Sequence, residues 1–254
     1  MAGEHDGRHA LITGGGTGIG LAIARALAGA GAQVTITGRR LDVLQMVAQG
    51  SARITACVMD VTDPDSVSRG VHDAIARHGP VDICVANAGI AEARNLQKTD
   101  IGFWRKTMAT NLDGAFLTIR ECVASMHDLP WGRVIAISSI AGLKGMRGGA
   151  AYAASKHGLI GLIRSLAVDY VEKPITFNAL CPGYVQTAII DQNVSRIAAR
   201  TGMSDQQARD HMVNVNPHKR LIMPTEIAAA ALWLCAAGSE SVNGQAIEIS
   251  GGQV

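Results

Sequence analysis

A tyrosine and a lysine lie four residues apart in the segment Ala-Tyr-Ala-Ala-Ser-Lys, as Tyr152 and Lys156. In a helix, residues i and i+4 lie on one face about one turn apart. An ammonium beside a phenol favours phenolate and lowers the pKa of the phenol, which can then exchange a proton with a substrate oxygen. The pair therefore indicates general acid–base chemistry, although a surface lysine lying over a half-buried tyrosine would show the same spacing.

A glycine-rich segment, Thr-Gly-Gly-Gly-Thr-Gly-Ile-Gly, runs from Thr13 to Gly20 directly after an apolar stretch. Its glycines permit positive φ angles and allow the backbone to approach a pyrophosphate. The helix expected from Ile19 onward would turn free N–H groups and the positive end of its dipole toward the phosphates. The segment predicts a dinucleotide that carries hydride, and an ordinary strand-to-helix turn is the alternative.

The composition narrows the class of protein. Of 254 residues, 48% are hydrophobic and 17% charged, which predicts a sizeable core. The formal charge of +2 gives no reason to expect nucleic acid as a partner. Five widely spaced cysteines, a polar N-terminus and the lack of a long apolar run favour a cytoplasmic protein without a membrane segment. The histidines, including His157, His211 and His218, have no metal-ligand spacing, so we expect no metal.

Short apolar runs alternate with helical patterns along the whole chain. The predicted strands are 9–13, 33–37, 53–58, 82–86, 133–138, 176–181 and 245–249, and the predicted helices are 19–30, 40–49, 65–78, 100–127, 151–171 and 225–236. Continuous apolar strands are typical of a sheet that is covered on both faces. This pattern predicts a single α/β domain over residues 1–254, with a Rossmann-like, doubly wound parallel sheet of seven strands flanked by helices.

One stretch, residues 188–220, interrupts the alternation with two helical patterns at 191–200 and 204–213. Its position predicts that it lies over the carboxyl ends of the strands, where open α/β sheets bind ligands. We expect a mobile helical substrate lid within the domain, and a packed surface hairpin is the alternative.

The segments after the second, third and fourth strands should contact the adenosine half of the dinucleotide. Thr37-Gly38-Arg39-Arg40 has no carboxylate that would repel a 2′-phosphate, and Arg39 could pair with one. NADP(H) is therefore favoured over NAD(H), although Arg39 could instead stack on adenine or begin the next helix. Asp60 and Val61 could contact the adenine, or Asp60 could be a turn residue. Asn87-Ala88-Gly89 would pass under the cofactor.

Taken together, the motifs resemble the classical short-chain dehydrogenase/reductase family over nearly the whole chain. They are Thr13-Gly14-x-x-x-Gly18-Ile19-Gly20, Asp60, Asn87-Ala88-Gly89, Asn111, Ser138-Ser139, Tyr152-x-x-x-Lys156 and Pro182-Gly183. The resemblance implies an NAD(P)-dependent enzyme that interconverts a secondary alcohol and a ketone by hydride transfer. A catalytically silent NAD(P)-binding regulator, or a lyase or epimerase on the same scaffold, are the alternatives from other classes.

The resemblance also implies roles for single residues. Tyr152 is the acid/base, Ser139 binds the substrate oxygen, Lys156 binds the nicotinamide ribose and lowers the pKa of Tyr152, and Asn111 bends its helix and holds a water on Lys156. Strand alternation would turn Ser138 the other way. The predicted cofactor-binding residues are Gly14, Thr17, Gly18, Ile19, Gly20, Arg39, Asp60, Val61, Asn87, Ala88, Gly89, Tyr152, Lys156, Pro182, Gly183, Val185 and Thr187. Taken singly, Ser139 could be a strand-end cap and Asn111 a polar group bonded to backbone.

The substrate is expected to lie in a mostly apolar pocket. Its predicted residues are Ser139, Ile140, Leu143, Met146, Tyr184 and Ile189. A 3-hydroxyacyl or 3-oxoacyl thioester ranks first and a cyclic or aryl secondary alcohol second. Five cations could meet an anionic tail such as a coenzyme A phosphate, or could be solvated surface charges: Arg94, Lys144, Arg147, Arg196 and Arg200.

The helices predicted at 100–127 and 151–171 carry many small residues, which allow helices to approach closely. The resemblance implies that these helices form one subunit interface and the last strand another, which gives a homotetramer. Packing of the same helices against the sheet of their own chain is the alternative.

Overall fold

The computed structural model describes residues 3–253, except for six side chains: Ile189, Gln192, Arg196, Ile197, Arg200 and His211. The described residues form a seven-stranded parallel sheet in the order β3-β2-β1-β4-β5-β6-β7. Its strands are β1 (His9–Thr13), β2 (Gln33–Gly38), β3 (Ile54–Val58), β4 (Ile83–Ala86), β5 (Gly132–Ile137), β6 (Ile175–Pro182) and β7 (Ala246–Ile249). The predicted Rossmann-like parallel sheet is confirmed, with strand ends within one or two residues of those expected.

Helices cover both faces of this sheet. They are α1 (Gly18–Gly29), α2 (Leu41–Gln49), α3 (Pro64–His78), α4 (Ile101–Met108), α5 (Gly114–Met126), α6 (Ala150–Asp169), α7 (Ala188–Thr201), α8 (Asp205–Val215) and α9 (Pro224–Cys235). Because strand residues alternate between faces, Leu11 packs in a core with α3, α5 and α6, whereas its neighbour Ile12 packs in a second core with α1 and α9. The sheet is therefore doubly wound.

The carboxyl ends of the central strands create the crevice in which a ligand can bind. The strand order reverses between β1 and β4, which pair in parallel with Leu11 opposite Cys84. In open α/β sheets, ligands bind at such a switch point, beyond the carboxyl ends of the strands. The residues that follow β1, β4, β5 and β6 are thus brought to one edge.

The helix predicted at 100–127 is helical from Ile101 to Met126, and a π-helical segment, Ala109–Asp113, separates α4 from α5 at the position of Asn111, where the family resemblance implies a bend. A π segment contains one turn that is wider than an α-helical turn, and such segments are frequent at functional sites. Asn111 lies inside it and is fully buried. In the wider turn the Asn111 side chain faces the interior of the protein.

The segment 188–220 is a helical hairpin made by α7 and α8, which are longer than predicted. The hairpin has its own apolar cluster, in which Ile190 and Val194 pack on Ala208 and Met212. Ser204 caps α8 by accepting from Gln207 N at 3.2 Å, and the Gln207 side chain accepts from Ser204 N at 2.9 Å. The hairpin is therefore a packed unit beside the strand ends.

None of the helices in residues 3–253 is long and apolar enough to cross a membrane. Among the described residues, no three His, Cys, Asp or Glu side chains are grouped so that they could hold a metal ion.

Candidate active site

Tyr152 and Lys156 lie one turn apart near the start of α6, as their spacing predicts. Lys156 is 4% exposed, and its ammonium donates a hydrogen bond to Ile137 O at 2.8 Å. The Nζ atom lies 5.9 Å from the centroid of the Tyr152 ring. Burial disfavours the charged amine and lowers the pKa of Lys156 to about 8. A positive charge and a phenol are thus held together at the end of β5.

The pKa of Tyr152 is raised above its ordinary value, chiefly because burial disfavours phenolate. A hydrogen bond with the Ser139 side chain acts in the opposite direction, and Tyr184 adds to the rise. The pKa of Tyr152 is therefore raised, whereas the spacing of Tyr152 and Lys156 predicts that it is lowered. The Ser139 contact does place its hydroxyl beside that of Tyr152, as both would need to be to share one substrate oxygen.

The two serines after β5 have different partners, as strand alternation predicts. Ser138 Oγ donates to Lys156 O at 3.2 Å, on the side of the sheet covered by α6. Ser139 begins a 3₁₀ turn at Ile140–Gly142, and its Oγ accepts from Ala141 N at 3.1 Å. The Ser139 hydroxyl retains a proton to donate while it accepts this bond. Capping of the turn and contact with Tyr152 therefore occur together.

Asn111 connects three parts of the site through its buried side chain. Its Oδ1 accepts from Ile90 N at 2.8 Å, and its Nδ2 donates to Ile90 O at 3.0 Å and to Ser155 Oγ at 3.1 Å. A Cβ built on Gly89 would lie 3.3 Å from Asn111 Oδ1 and 3.5 Å from Lys156 Nζ. The glycine therefore allows the chain after β4 to pass between these two side chains.

The glycine segment has the shape expected of a phosphate-binding turn. Gly14 and Gly18 have φ angles of 63° and 56°, in the left-handed region. A Cβ on Gly20 would lie 2.5 Å from Asn87 Nδ2, which itself donates to Thr13 O at 2.8 Å. Gly20 therefore serves close packing of the turn against the chain after β4, while Gly14 and Gly18 face the cavity.

The N-terminus of α1 is available to an anion. Thr17 precedes the helix with extended backbone angles, and its side chain makes no capping hydrogen bond. Thr17, Gly18 and Ile19 line the large cavity. The free N–H groups and the helix dipole suit a pyrophosphate at this point. Together with the glycine turn, this arrangement fits a dinucleotide.

A second cavity of about 260 Å³ continues from the first past the ends of β2 and β3. The residues lining it include those predicted for adenosine, Arg39, Asp60 and Val61. Arg40 lines it too, because α2 begins at Leu41 rather than at Arg40. Sequence reasoning assigned Arg40 to the helix and so missed a second cation.

Two polar side chains of this cavity differ in their partners: within the described residues, Asp60 is hydrogen-bonded and the Thr37 hydroxyl is not. Asp60 Oδ1 accepts from Thr62 N at 3.0 Å and from Thr62 Oγ1 at 2.8 Å, so Asp60 is a turn residue as well as a cavity residue. The Thr62 N–H bond is the main cause that lowers the pKa of Asp60, and the charge of Arg39 also lowers it. Thr37 Oγ1 is buried without a partner in the described chain, and Thr37 lines the cavity.

The larger cavity, of about 480 Å³, contains the candidate substrate pocket together with the adjoining part of the candidate dinucleotide site. It reaches from the glycine turn to Ser139, Tyr152 and Lys156, and much of its wall is apolar. Its lining includes Ile140, Met146, Tyr184, Pro182, Gly183, Val185 and Thr187, all named from the sequence. Leu143 is an exception: it is 39% exposed and is not part of the described lining, because it turns outward after the 3₁₀ turn. The side chain of Ile189 lies outside the described residues.

Several lining residues were not named from the sequence, among them Asn193, Val215 and Gln253. Asn193 and Val215 belong to α7 and α8, and Gln253 follows β7. Their positions depend on how the hairpin and the last strand fold back over the cavity. No local motif indicates such long-range placement.

Sequence comparison identifies the family. The family model described as short chain dehydrogenase matches residues 8–198, and the chain belongs to this family. Acetoacetyl-CoA reductase of Shinella zoogloeoides is 32% identical, with 97% of this chain and 98% of that protein covered. Levodione reductase of Leifsonia aquatica is 31% identical, with 97% and 94% covered.

Structure comparison agrees. A crystal structure of actinorhodin polyketide ketoreductase with NADPH superposes with a TM-score of 0.95 at 29% identity, covering 100% of this chain and 99% of that one. The family and these relatives show that the chain is an NAD(P)-dependent oxidoreductase that interconverts secondary alcohols and ketones.

Proposed function

We propose that this oxidoreductase acts on 3-hydroxyacyl or 3-oxoacyl thioesters with NADP(H) as the hydride carrier. The observation that carries the proposal is the joined pair of cavities: a dinucleotide-shaped cleft opens into a mostly apolar pocket at Ser139 and Tyr152. A straight acyl chain fits such a pocket, and two relatives of similar length or fold act on related acyl compounds by name.

Proton transfer is assigned to Tyr152 and charge stabilisation to Ser139. A nicotinamide bound in this cleft would supply or accept the hydride at the carbinol carbon. In ketone reduction, negative charge builds on the substrate oxygen, and the neighbouring Ser139 and Tyr152 hydroxyls stabilise it as preorganised donors. The raised pKa of Tyr152 keeps the phenol protonated at neutral pH and therefore ready to donate.

Lys156 and Asn111 are assigned to support this step. The Lys156 ammonium, anchored on Ile137 O, would bind the nicotinamide ribose and disperse charge when Tyr152 loses its proton. Asn111 keeps the Ile90 backbone and the Ser155 hydroxyl in place around that lysine. Both are buried, so that their positions are fixed before substrate enters.

NADP(H) is proposed over NAD(H) on the charge of the adenosine cavity. Arg39 and Arg40 both line it, and Asp60 faces the same space with one oxygen committed to Thr62. Guanidinium groups bind phosphate oxygens strongly. A 2′-phosphate bound in this cavity could therefore pair with both Arg39 and Arg40.

A cyclic secondary alcohol or ketone is the second candidate. It is favoured by the similarity to levodione reductase over nearly the full length of both chains. The same residues would carry the reaction, because only the walls of the pocket distinguish an acyl chain from a ring.

A homotetramer in the cytoplasm completes the proposal. Trp104 on α4, Phe116 on α5 and Val168 on α6 are 36%, 45% and 72% exposed, which suits a face that another subunit covers.

Four of the five cysteines are buried free thiols, which suits a reducing compartment. The α7–α8 hairpin is proposed as the lid, since Ile190 and Asn193 contribute to the pocket.

The test is a turnover assay with purified protein that follows the absorbance of reduced nicotinamide. We expect NADPH-dependent reduction of acetoacetyl-CoA that falls about 100-fold or more in Tyr152→Phe, because the proton donor is lost. Reduction of a cyclic diketone but not of acetoacetyl-CoA would replace the first candidate by the second. Tight dinucleotide binding without turnover of any ketone or alcohol would support a silent regulator and contradict the proposal.

A further inference from the structure

The large cavity has an unbalanced charge. Three cations, Lys144, Arg147 and Lys156, are among its lining residues, and the described part of that lining contains no Asp or Glu. Lys156 is buried and anchored on Ile137 O, within the catalytic group. The other two lie between the 3₁₀ turn and α6 and have no assigned role. An uncompensated positive wall attracts anions.

The structure separates these two cations from the other candidates named from the sequence. Arg94 already pairs with Glu92 at 3.0 Å and lies over the ring of Phe103, 4.1 Å from its centroid. Arg94 is not part of the described cavity lining. The side chains of Arg196 and Arg200 lie outside the described residues. Lys144 and Arg147 therefore remain as the candidates for a substrate anion.

Lys144 is held in place by a neutral partner. Its Nζ donates to Gln253 O at 2.6 Å, and the Gln253 side chain donates through Nε2 to Val215 O at 3.1 Å. A backbone carbonyl fixes the position of the ammonium without cancelling its charge, and an ammonium has three donors, so two remain for a ligand. The lysine is thus preorganised at the wall of the pocket.

Arg147 supplies the second charge three residues further along the same wall. It is exposed, and no ion pair involves it in the described residues. The next residue, Gly148, has a φ angle of 68° and faces open space, so that the chain turns sharply after the arginine.

We infer that Lys144 and Arg147 form an anion subsite that binds a carboxylate or phosphate of the substrate, away from the reacting carbonyl. The inference rests on the proposed function and narrows its substrate class to anionic ketones. Two sources share this chemistry: the carboxylate of a free 3-oxo acid, and the phosphates of a coenzyme A thioester. A neutral cyclic ketone would gain nothing from the subsite.

The test compares three probes that share one reacting group: acetoacetyl-CoA, the N-acetylcysteamine thioester of acetoacetate, and acetoacetate. The second probe is a neutral thioester, so it reports any loss that does not depend on charge. Each is assayed with wild type, with the double variant Lys144→Met/Arg147→Met, and with a control double variant, Arg77→Met/Lys173→Met. Arg77 and Lys173 are exposed cations that line neither cavity.

We expect kcat/KM for an anionic probe to fall about tenfold or more in the Lys144/Arg147 variant, a loss equal to about 1.4 kcal/mol. We expect the neutral thioester to stay within about twofold, and the wild-type preference for anions to shrink as salt is added. Loss with acetoacetate identifies a carboxylate site, and loss with acetoacetyl-CoA alone identifies a phosphate site. Equal loss with all three probes, or no loss with any, would overturn the inference.

Binding measured by calorimetry on the NADP⁺-loaded protein tests the anion subsite without requiring turnover. Tighter binding of coenzyme A or acetoacetate than of the neutral thioester, lost in the Lys144/Arg147 variant, supports the subsite even if no probe is reduced. In that case only the proposed substrate would fail. No difference between anionic and neutral probes in wild type contradicts the subsite.

Discussion

Asn111 Nδ2 donates to Ser155 Oγ at 3.1 Å, and Ser155 Oγ in turn donates to Tyr152 O at 2.7 Å. This chain of hydrogen bonds joins the π segment between α4 and α5 to the turn of α6 that carries Tyr152 and Lys156, the proposed acid–base pair. Ser155 is fully buried, so the connection lies out of water. The π segment therefore positions the turn that carries Tyr152 and Lys156 through buried hydrogen bonds.

Replacing Asn111 tests that connection. We expect Asn111→Ala to lower the free energy of unfolding by about 2–3 kcal/mol, because Ile90 N, Ile90 O and Ser155 Oγ lose a partner in the interior. Urea denaturation followed by circular dichroism measures the loss, and the same variant should show reduced kcat. Asn95→Ala is the matched control: Asn95 caps an exposed turn by accepting from Lys98 N, so about 1 kcal/mol or less is expected. Similar losses in both variants would argue against a buried connection.

Ser139 and Ser138 form a natural pair for testing which hydroxyl meets the substrate. Ser139→Ala removes the hydrogen bond that opposes the rise in the pKa of Tyr152. We expect kcat/KM to fall about 100-fold, and the acid limb of alcohol oxidation to move to higher pH, because phenolate becomes harder to form.

Ser138→Ala is the control, since its hydroxyl donates to Lys156 O and not to the phenol. We expect less than about tenfold loss and an unmoved acid limb, as removal of one ordinary hydrogen bond costs about 1 kcal/mol. Steady-state rates of alcohol oxidation measured between about pH 6 and pH 9 would give the acid limb of each variant. A larger effect at Ser138 than at Ser139 would reverse the assignment.

Periodicity was enough to predict the sheet, because most of its strands are apolar runs, and the central strands β1, β4, β5 and β6 are buried throughout. The placement of Tyr152 and Lys156 one turn apart was also predictable, since the two residues are local in sequence and helix geometry fixes their relation. Periodicity did not predict the π segment, because its wider turn depends on what Asn111 contacts after folding. Only the family resemblance implied a bend at Asn111. Gln253 lines the pocket only because the fold places the chain after β7 beside Lys144, and sequence periodicity does not predict that long-range contact. The pKa of Tyr152 depends on burial, which the spacing alone does not give.

Cofactor choice should follow the charge at the end of β2. We expect Arg39→Ala to weaken NADPH binding about tenfold or more and to leave NADH binding nearly unchanged, because only NADPH carries the 2′-phosphate. Paired fluorescence titrations with the two dinucleotides give the ratio. Arg77→Ala, an exposed arginine of α3 that lines neither cavity, should change neither affinity. Equal weakening of both dinucleotides would instead indicate stacking of Arg39 on adenine.

The buried charge of Lys156 should lower the free energy of unfolding. Its folded pKa of about 8 lies below the ordinary 10.5, so below about pH 8 the folded protein carries the whole cost of a desolvated ammonium. Between these two values the unfolded chain binds more protons than the folded one, and stability therefore rises with pH. At about 1.4 kcal/mol per pKa unit, and with the lost bond to Ile137 O set against it, Lys156→Met should stabilise the fold by about 2 kcal/mol at pH 7.

That gain should shrink as pH rises toward about 10, because wild type then sheds the buried charge by itself. Urea denaturation of wild type and Lys156→Met at both pH values measures the difference, while turnover by the variant should be lost. Lys173→Met, at an exposed lysine, should leave stability within about 0.5 kcal/mol at either pH. A variant that is less stable than wild type at pH 7 would show that the hydrogen bond to Ile137 O outweighs the cost of burying the charge. Equal stabilisation at both pH values would contradict the lowered pKa of Lys156. A more stable but inactive variant would mean that the position of Lys156 is kept for catalysis at the expense of stability.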